Sequence, residues 1–406
     1  MRRKKHGHKI FFEPRQRTST LCCNRCKERA GRLVEPIVAE LISLIEQHGW
    51  VAQFQQALDV AALKDVAAVA RIRTIDDYLA HIDELVRWAP REAGDSRLVH
   101  DKMVEFYFFL DQPPLRELQS PIVAGHASTE LTPLSQWIHD FACSWGSYLD
   151  TPDSVTHIES FRSNPAFRWD EYMPPPSGYL TFNQFFARHA RPGMRPIAAI
   201  GDPSVVVSPA DAVFIGSWRV AGDSTIHVED PKIDVKGVRW SIRQLLVDSA
   251  YADRFNGGTF MHCALRTYDY HRWHSPVPGK VVETRNIIGQ AWLDVEAVTA
   301  VVDGESINVL HAIEGTGYQF VQTRALVVID SPCGLVACLP VGMGHVASVV
   351  VTAGVGSTLH KGEEMGYFQF GGSDFVMVFE QACNIELSCR TDAHYLQGSA
   401  IGRLRA

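Results

Sequence analysis

The sequence has no run of about eighteen apolar residues, the length a helix needs to cross a bilayer. It also contains no internal repeat and no low-complexity segment. Its 406 residues, 46% hydrophobic and 21% charged, have the composition of an ordinary soluble protein. The chain is long enough for two or more domains and a large core, and it would have to reach a membrane substrate from the surface.

Paired cysteines are also lacking. The nine cysteines are an odd number and do not indicate a disulfide framework, so we expect a reducing compartment and a cytoplasmic location. Cys23 and Cys26, with His6 and His8 upstream, have zinc-like spacing, but no second close pair follows. We therefore expect no metal site.

Acidic residues are scarce only in the first 32 residues, which carry eleven Lys/Arg and two Glu. That arm has a net charge of +9, so the remaining chain is at −16. We expect a poorly ordered arm at 1–32; a targeting role is the alternative, although the apolar region of a secretory signal is missing. The acidic body argues against nucleic acid as a partner.

The first third of the remaining chain has helical periodicity. One apolar face begins at Ile37 and stops at Gly49, and a second helix begins at Thr74, with Asp77 three residues on, and ends before Pro90. Further helices are predicted at 101–110, at 135–149 and around Phe182–His189. We expect a helical domain at 33–150 and a polar connector at 151–178.

After residue 200 the pattern changes to short β-branched or apolar runs bounded by Gly, Pro and Ser. The predicted strands are Val205–Val207, Leu326–Ile329, Ala347–Val351 and Phe375–Phe379. This half is therefore expected to form a compact β-rich core.

Three polar clusters in the β-rich half contain Asp211, His274 and Ser373. A carboxylate that orients an imidazole can activate a hydroxyl, although three unrelated polar turn positions would look the same. Gly371 and Gly372 can adopt positive φ and expose the bond before Ser373; a plain hairpin is the alternative. Attack of Ser373 Oγ on the Gly372 carbonyl, followed by β-elimination and hydrolysis, would leave a pyruvoyl group.

Six ordered motifs between residues 179 and 380 resemble the phosphatidylserine decarboxylases, which are pyruvoyl enzymes. They are Phe-Phe-Ala-Arg and Arg-Pro-Gly-Met-Arg-Pro-Ile at 185–197, Ser-Pro-Ala-Asp at 208–211, the block at 236–246, Phe-Asn-Gly-Gly at 255–258, the block Asp-Tyr-His-Arg-Trp-His-Ser-Pro-Val at 269–277, and Lys-Gly-Glu-Glu at 361 through Ser373.

The resemblance assigns roles residue by residue. It implies that Asp211 is the carboxylate of self-processing and His274 its base. It implies that cleavage between Gly372 and Ser373 converts Ser373 into the covalent pyruvoyl cofactor, with no metal. It further implies that His271 acts in decarboxylation, which proceeds through a Schiff base to the substrate amine.

Two details of the cleavage region depart from a simple match. The family usually has Ser or Thr after the processed serine, and this chain has Asp374. The triplet Gly-Ser-Thr at 356–358 looks like the family's cleavage triplet, but Ser357 precedes the Lys-Gly-Glu-Glu turn, so we reject it.

The N-terminal half, with Trp-Gly-Ser-Tyr-Leu at 145–149, is similar to the extra domain of a soluble subgroup that includes tryptophan decarboxylases. The expected fold is α+β, a β-rich catalytic domain at 179–406 with an added helical domain. The expected enzyme is a carboxy-lyase acting on an amino acid, with an aromatic, tryptophan-like one as a candidate. The alternatives are a phosphatidylserine decarboxylase of phospholipid biosynthesis, an uncleaved pseudoenzyme in which Asp374 blocks processing, and a partner-binding adaptor built on the basic arm.

The expected partners follow from this interpretation. They are a small-molecule amino acid, the two cleaved chains of the protein bound to each other and, as an open alternative, a second copy in a homodimer. Nucleic acid is not expected, and membrane contact is expected only if the substrate is phosphatidylserine.

Overall fold

The computed structural model describes residues 34–94, 97–122, 130–226, 240–302, 304–312, 317–343 and 349–405. Its helices are α1 (Pro36–His48), α2 (Val51–Ala62), α3 (Ile75–Leu85), α4 (Leu98–Leu110), α5 (Pro113–Arg116), α6 (Pro133–Tyr148), α7 (Phe182–Phe186) and α8 (Ile242–Leu245). The basic arm with Cys23 and Cys26, and residues 236–239 of the third motif, lie outside the described residues.

The strands fall mainly in the second half of the chain. They are β1 (Tyr172–Met173), β2 (His189–Ala190), β3 (Val205–Val207), β4 (Ala212–Arg219), β5 (Thr259–Leu265), β6 (Arg272–His274), β7 (Gly279–Ile287), β8 (Val295–Val302), β9 (Glu305–Ala312), β10 (Arg324–Ser331), β11 (Gly334–Met343), β12 (Val349–Val351), β13 (Thr358–Leu359), β14 (Glu364–Phe368), β15 (Gly372–Phe379), β16 (Glu386–Leu387), β17 (His394–Tyr395) and β18 (Ala400–Arg403).

Capping residues fix the ends of the N-terminal helices. Helix α1 stops at Gly49, whose φ of 68° is left-handed, as the sequence predicts. At the start of α3, Thr74 and Asp77 form the predicted capping box, in which each side chain accepts a hydrogen bond from the other's backbone N–H. Helix α3 ends at Leu85, earlier than the expected stop before Pro90.

The predicted helices at 101–110 and 135–149 are confirmed as α4 and α6. Helix α4 is buried on nearly all sides from Phe106 to Leu110 and forms the centre of the helical region. Helix α2 was not predicted, because two of the four residues that it buries are alanines, which give a weak apolar signal. The predicted helix around Phe182–His189 is shorter, since α7 ends at Phe186 and β2 follows.

One antiparallel sheet of eight strands, in the order β13-β7-β10-β11-β15-β5-β4-β17, forms the body of the β-rich half. Its central strand β15 alternates faces. Phe375 and Met377 join the core that continues into the helical region, whereas Val376 and Val378 join a second core. Helices at the N-terminal end and a large antiparallel sheet confirm the α+β class.

Smaller sheets complete the fold. β12-β14-β6 and β16-β18-β3 are three-stranded, and β1-β2 and β8-β9 are pairs. The β8-β9 hairpin joins the helical region to the core, where Asp111 accepts a hydrogen bond from the Val295 amide at 2.7 Å and Arg116 pairs with Asp294 at 3.2 Å. None of the helices in the described ranges has both the length and the apolar character that a membrane span requires.

Candidate active site

Ser373 lies near the start of β15 in the middle of the large sheet. It pairs with Leu265 of β5 on one side and with Gly342 of β11 on the other, and only 1% of its surface is exposed. Just before the strand, Gly371 has a φ of 150°, a conformation that favours glycine. The predicted positive φ is therefore confirmed at Gly371, and the bond before Ser373 joins the first two residues of β15, directly after that bend.

His271 is the side chain that contacts the hydroxyl of Ser373. Its Nδ1 lies 3.1 Å from Ser373 Oγ, and its Nε2 lies 3.0 Å from the carbonyl oxygen of Arg266. Because a carbonyl can only accept, Nε2 carries the hydrogen and Nδ1 is left to accept from the serine. The imidazole therefore faces Ser373 with its unprotonated nitrogen.

The surroundings keep His271 neutral. Complete burial, followed by the positive charge of Arg188, lowers the pKa of His271 to about 3. The ring of Phe186 lies against the imidazole with centroids 3.9 Å apart. At neutral pH the side chain is therefore an uncharged acceptor for the serine hydroxyl.

His274 lies in a different hydrogen-bond network. Its Nδ1 donates to the Gly362 carbonyl at 2.9 Å, and its Nε2 lies 3.1 Å from the hydroxyl of Tyr270, which donates to it. Burial is the main cause that lowers its pKa. Within the described part of the chain, His274 makes no hydrogen bond to Ser373 or to Asp211.

Asp211 is held by a buried ion pair. Nε and Nη2 of Arg195 donate to its two carboxylate oxygens at 2.8 and 2.6 Å, and the Gln397 amide donates at 2.8 Å. The His274 backbone N–H reaches the Pro209 carbonyl at 2.8 Å, which brings His274 beside the 208–211 turn. The structure thus joins Ser373 to His271, and it places Asp211 and His274 in neighbouring networks.

The Lys-Gly-Glu-Glu turn at 361–364 contacts His274 through a backbone carbonyl, and Lys361 holds the turn in place. Lys361 Nζ donates to three backbone carbonyls, those of Ala199, Asp202 and Val205, at 2.6 to 3.1 Å. Gly362 has a φ of 85°, and its carbonyl receives the His274 hydrogen bond. The conformation of this turn therefore fixes the tautomer of His274.

Sequence reasoning gave no individual role to Arg188, and it considered Asp374 only as a residue that could block processing. Arg188 is buried, stacks on the Tyr172 ring at 4.0 Å and donates to the carbonyls of Tyr268 and Asp269, just before His271. Asp374 accepts from His262 Nε2 at 2.6 Å and from the Tyr318 hydroxyl at 2.8 Å. His262 and Tyr318 belong to none of the motif blocks singled out in the sequence, so no signal pointed to them.

Aromatic rings line the His271 side of Ser373. Phe186 lies next to Phe370, whose ring is in turn 5.4 Å from Trp145 of α6. Asn183 joins the same elements, since it accepts from the Phe370 amide at 3.1 Å and donates to the Gly146 carbonyl at 3.1 Å. The helical region therefore reaches the chain three residues before Ser373.

Ser357, the alternative cleavage serine, differs from the buried Ser373 in its surroundings. Ser357 is exposed, and its hydroxyl donates to the Gly354 carbonyl. In the described ranges no group of three or more His, Cys, Asp or Glu side chains is arranged to hold a metal ion. The six cysteines of those ranges are all unpaired.

Known proteins match this region. Residues 182–403 match the family described as phosphatidylserine decarboxylase. The phosphatidylserine decarboxylase proenzyme of Fusobacterium nucleatum is 30% identical over 303 residues, which cover 73% of this chain and 88% of that protein.

Two fungal proteins are also similar. The decarboxylase iboD of Amanita muscaria is 32% identical over 270 residues, covering 59% of this chain and 75% of that protein. Phosphatidylserine decarboxylase proenzyme 3 of Schizosaccharomyces pombe is 32% identical over 238 residues, but the match spans only 22% of its length.

The family consists of carboxy-lyases whose pyruvoyl group forms from a serine by self-cleavage. A buried serine beside a neutral imidazole, at the end of a glycine-containing bend, suits that chemistry. With the match extending over more than half of its length, the chain belongs to the phosphatidylserine decarboxylase family.

Proposed function

We propose that this chain cleaves itself between Gly372 and Ser373 and then decarboxylates a free amino acid at residue 373. The observation that carries the proposal is the 3.1 Å contact between Ser373 Oγ and Nδ1 of His271. A serine in this position is both buried and paired with a nitrogen that can accept its proton. Ser373 is also the position that the resemblance assigns to the processed serine.

The proposed cleavage proceeds by an N→O acyl shift, a β-elimination and a hydrolysis. Ser373 Oγ loses its proton to a base and bonds to the Gly372 carbonyl carbon, while the bond from that carbon to the Ser373 nitrogen breaks and the nitrogen gains a proton. Loss of the Ser373 α-proton then breaks the Cβ–Oγ bond and releases residues 1–372 with a C-terminal carboxylate. Water finally replaces the α-nitrogen of residue 373, which leaves as ammonia, and a carbonyl remains.

We propose that His274 and Asp211 promote this cleavage, as the resemblance implies. Nε2 of His274 is unprotonated and accepts from Tyr270, so it has the protonation state that a base requires. Burial lowers the pKa of His274, and the carboxylate of Asp211 opposes part of that shift. To act on Ser373, His274 would have to exchange the Tyr270 hydroxyl for that of the serine.

His271 is proposed to act in decarboxylation. A pyruvoyl group formed on residue 373 would supply the electron sink for the loss of CO₂ from the bound amino acid. Nδ1 of His271, which is unprotonated and lies beside residue 373, would take a proton that the substrate ammonium group releases and would return it to the substrate carbon after CO₂ leaves. The Arg266 carbonyl and the Phe186 ring hold the imidazole in that orientation.

The aromatic lining supports a substrate with an apolar or aromatic side chain. Phe186, Phe370 and Trp145 form a continuous series of ring contacts from His271 to the helical region. These rings are buried and in contact with one another, and an aromatic substrate side chain that enters beside them would gain favourable ring contacts. A tryptophan-like amino acid is the proposed class.

The second candidate is phosphatidylserine, which the names of several relatives favour. Purified protein should therefore be assayed for CO₂ release with a panel of amino acids and with phosphatidylserine vesicles. Release from an aromatic amino acid supports the proposal, and release from the lipid alone overturns the substrate class. A reducing location such as the cytoplasm agrees with the unpaired cysteines.

Mass spectrometry of the denatured protein tests cleavage directly. Two chains are expected, residues 1–372 and 373–406, the second with a blocked N-terminus. A single intact chain of 45.3 kDa that persists on incubation would support the pseudoenzyme alternative. The variant Asp374→Thr separates the two cases, because cleavage of that variant alone would show that Asp374 blocks processing.

A further inference from the structure

Asp374 and Ser373 project from opposite faces of β15, because successive side chains in a strand alternate. Ser373 faces His271, whereas Asp374 is on the side of the second core and is 2% exposed. Its carboxylate accepts from His262 Nε2 at 2.6 Å and from the Tyr318 hydroxyl at 2.8 Å. His262 and Tyr318 are themselves buried, so both hydrogen bonds are shielded from water.

The two partners lie on the other side of the cleavage point. His262 is in β5 and Tyr318 precedes β10, so both belong to residues 1–372. Asp374 is the second residue of the 34-residue chain that cleavage would create. The two hydrogen bonds therefore join residues that are connected through one backbone before cleavage and belong to separate chains afterwards.

Cleavage changes what holds residue 373 in place. Before it, the Gly372–Ser373 peptide bond fixes the start of the strand; after it, residue 373 is a chain end, and chain ends fray unless they are tied down. A displacement of about 1 Å at a reacting group can cost on the order of 100-fold in rate. Residue 373 lies in the sheet opposite Leu265 of β5 and Gly342 of β11, and its neighbour Asp374 supplies the adjacent side-chain bonds.

We propose that Asp374 is a positioning residue that anchors the new chain end, and with it the carbonyl of residue 373, to His262 and Tyr318 of the upstream chain. The inference rests on the proposed self-cleavage. Asp374 is the residue that departs from the family's usual Ser or Thr, and the inference assigns it a role in the cleaved protein. It also predicts that Asp374 does not prevent cleavage.

The test compares cleaved and uncleaved protein. Hydrogen exchange of the 373–380 segment is measured for wild type and Asp374→Asn, and again with Ser373→Ala added to keep the chain intact. We expect Asp374→Asn to accelerate exchange by about tenfold in the cleaved protein and by less than about twofold in the uncleaved one. Asparagine has nearly the same size but lacks the charge that strengthens both hydrogen bonds.

Catalysis gives a second measurement. Cleaved Asp374→Asn is expected to keep its KM and its content of reactive carbonyl, titrated with a hydrazine, while kcat falls by about tenfold or more. His262→Gln and Tyr318→Phe are expected to lower kcat in the same way. Glu386→Gln is the matched control, because Glu386 pairs with Arg405 inside the downstream chain.

The outcomes are distinct. A wild-type protein that stays in one chain overturns the proposed function and this inference together. A cleaved wild type whose Asp374→Asn form keeps its exchange rate and kcat overturns the inference alone. Equal acceleration in cleaved and uncleaved protein, or loss of cleavage in Asp374→Asn, also overturns it, since Asp374 would then act in folding or processing.

Discussion

At the scale of single residues, the two histidines of the 269–277 block differ in which nitrogen is free to accept a proton. His271 donates from Nε2 to a carbonyl and presents Nδ1 to Ser373, whereas His274 donates from Nδ1 and presents Nε2 to Tyr270. Backbone carbonyls thus set the two tautomers in opposite ways. Two imidazoles three residues apart can therefore serve separate steps of one enzyme.

Replacement of each histidine should separate cleavage from decarboxylation. We expect His271→Asn to cleave but to lose decarboxylase activity by on the order of 100-fold or more, because the imidazole proposed to carry a proton from the substrate ammonium group to the substrate carbon is missing. We expect His274→Asn to remain a single chain. Intact mass and CO₂ release, measured on the same samples, check both expectations.

The control variant changes Tyr270, which holds the His274 imidazole in place through a hydrogen bond. Tyr270→Phe removes the hydroxyl that donates to His274 and should change the cleavage rate more than the decarboxylation rate. The opposite pattern, an uncleaved His271→Asn and a cleaved His274→Asn, would assign the base of processing to the histidine that contacts Ser373.

Which histidine contacts Ser373 could not be predicted from the sequence. The resemblance identified Ser373, His271, His274 and Asp211, but the contact depends on the pairing of β14 with β6, whose register shifts between Glu364 and Gly366. A shift of one residue turns side chains to the other face of a sheet. The ion pair between Arg195 and Asp211 could not be predicted either, because neither motif indicates that the two side chains are in contact.

A buried histidine in the helical region predicts how stability depends on pH. Burial lowers the pKa of His81 to about 3, with smaller effects from Lys102 and Arg71. Glu105 lies 4.0 Å away but is already bound by Lys102 at 2.6 Å, so the imidazole stays neutral. The unfolded chain binds this proton near pH 6.5 and the folded chain does not, so stability is complete above about pH 6.5 and falls as the pH drops toward 3.

The contribution of His81 can be isolated by substitution. Between pH 7 and pH 5, the free energy of unfolding of His81→Gln should fall by about 2 kcal/mol less than that of the parent. Urea denaturation in the uncleaved Ser373→Ala background measures this difference. The exposed His157→Gln is the control and should behave as the parent does; equal pH dependence in His81→Gln and parent would contradict the expectation.

At the scale of elements, the turn between β13 and β14 shows how local conformation supports the site. Gly362 combines a φ of 85° with a crowded position, since a Cβ built there would lie 2.5 Å from Ile197. Its carbonyl also receives the hydrogen bond of His274. A side chain at this position would therefore strain the turn and move the acceptor of a histidine proposed to act in cleavage.

Gly362→Ala and Gly356→Ala form a matched pair. Both positions have positive φ, but a Cβ at Gly356 would meet no atom within 4 Å. We expect Gly356→Ala to cost about 1 kcal/mol from φ alone, and Gly362→Ala to cost more and to slow cleavage. Urea midpoints and cleavage time courses measure the two effects; equal values for the two variants would show that crowding at Ile197 has no influence.

Element by element, the sequence was most informative where a local rule decides the structure. The Thr74–Asp77 capping box and the Gly49 stop are such rules, and α3 and α1 follow them. It was least informative for α7 and the early end of α3. Both helices stop several residues before the next proline, so a proline sets only an outer limit on where a helix ends.

At the scale of the whole molecule, the strand order could not have been predicted. β15 lies between β11 and β5, and β5 ends 108 residues before Ser373, while β17 closes the far edge next to β4. Each pairing depends on contacts between distant segments. The arrangement has a consequence for the cleaved protein, because the short downstream chain would supply both a central and an edge strand of the same sheet.

This arrangement predicts that the two chains stay together after cleavage. Residues 373–406 contribute β15 to the interior of the large sheet, β16 and β18 to a second sheet, and the Gln397 amide bond to Asp211. Their release would expose both faces of β15 and would leave β11 and β5 each without a ladder partner on one side. Size-exclusion chromatography and native mass spectrometry of the cleaved protein should therefore show one complex of both chains, which separates only in denaturant. The uncleaved Ser373→Ala protein should elute at the same volume, and a free 34-residue chain in native buffer would contradict the prediction, since a strand in the middle of a sheet cannot leave while the sheet remains intact.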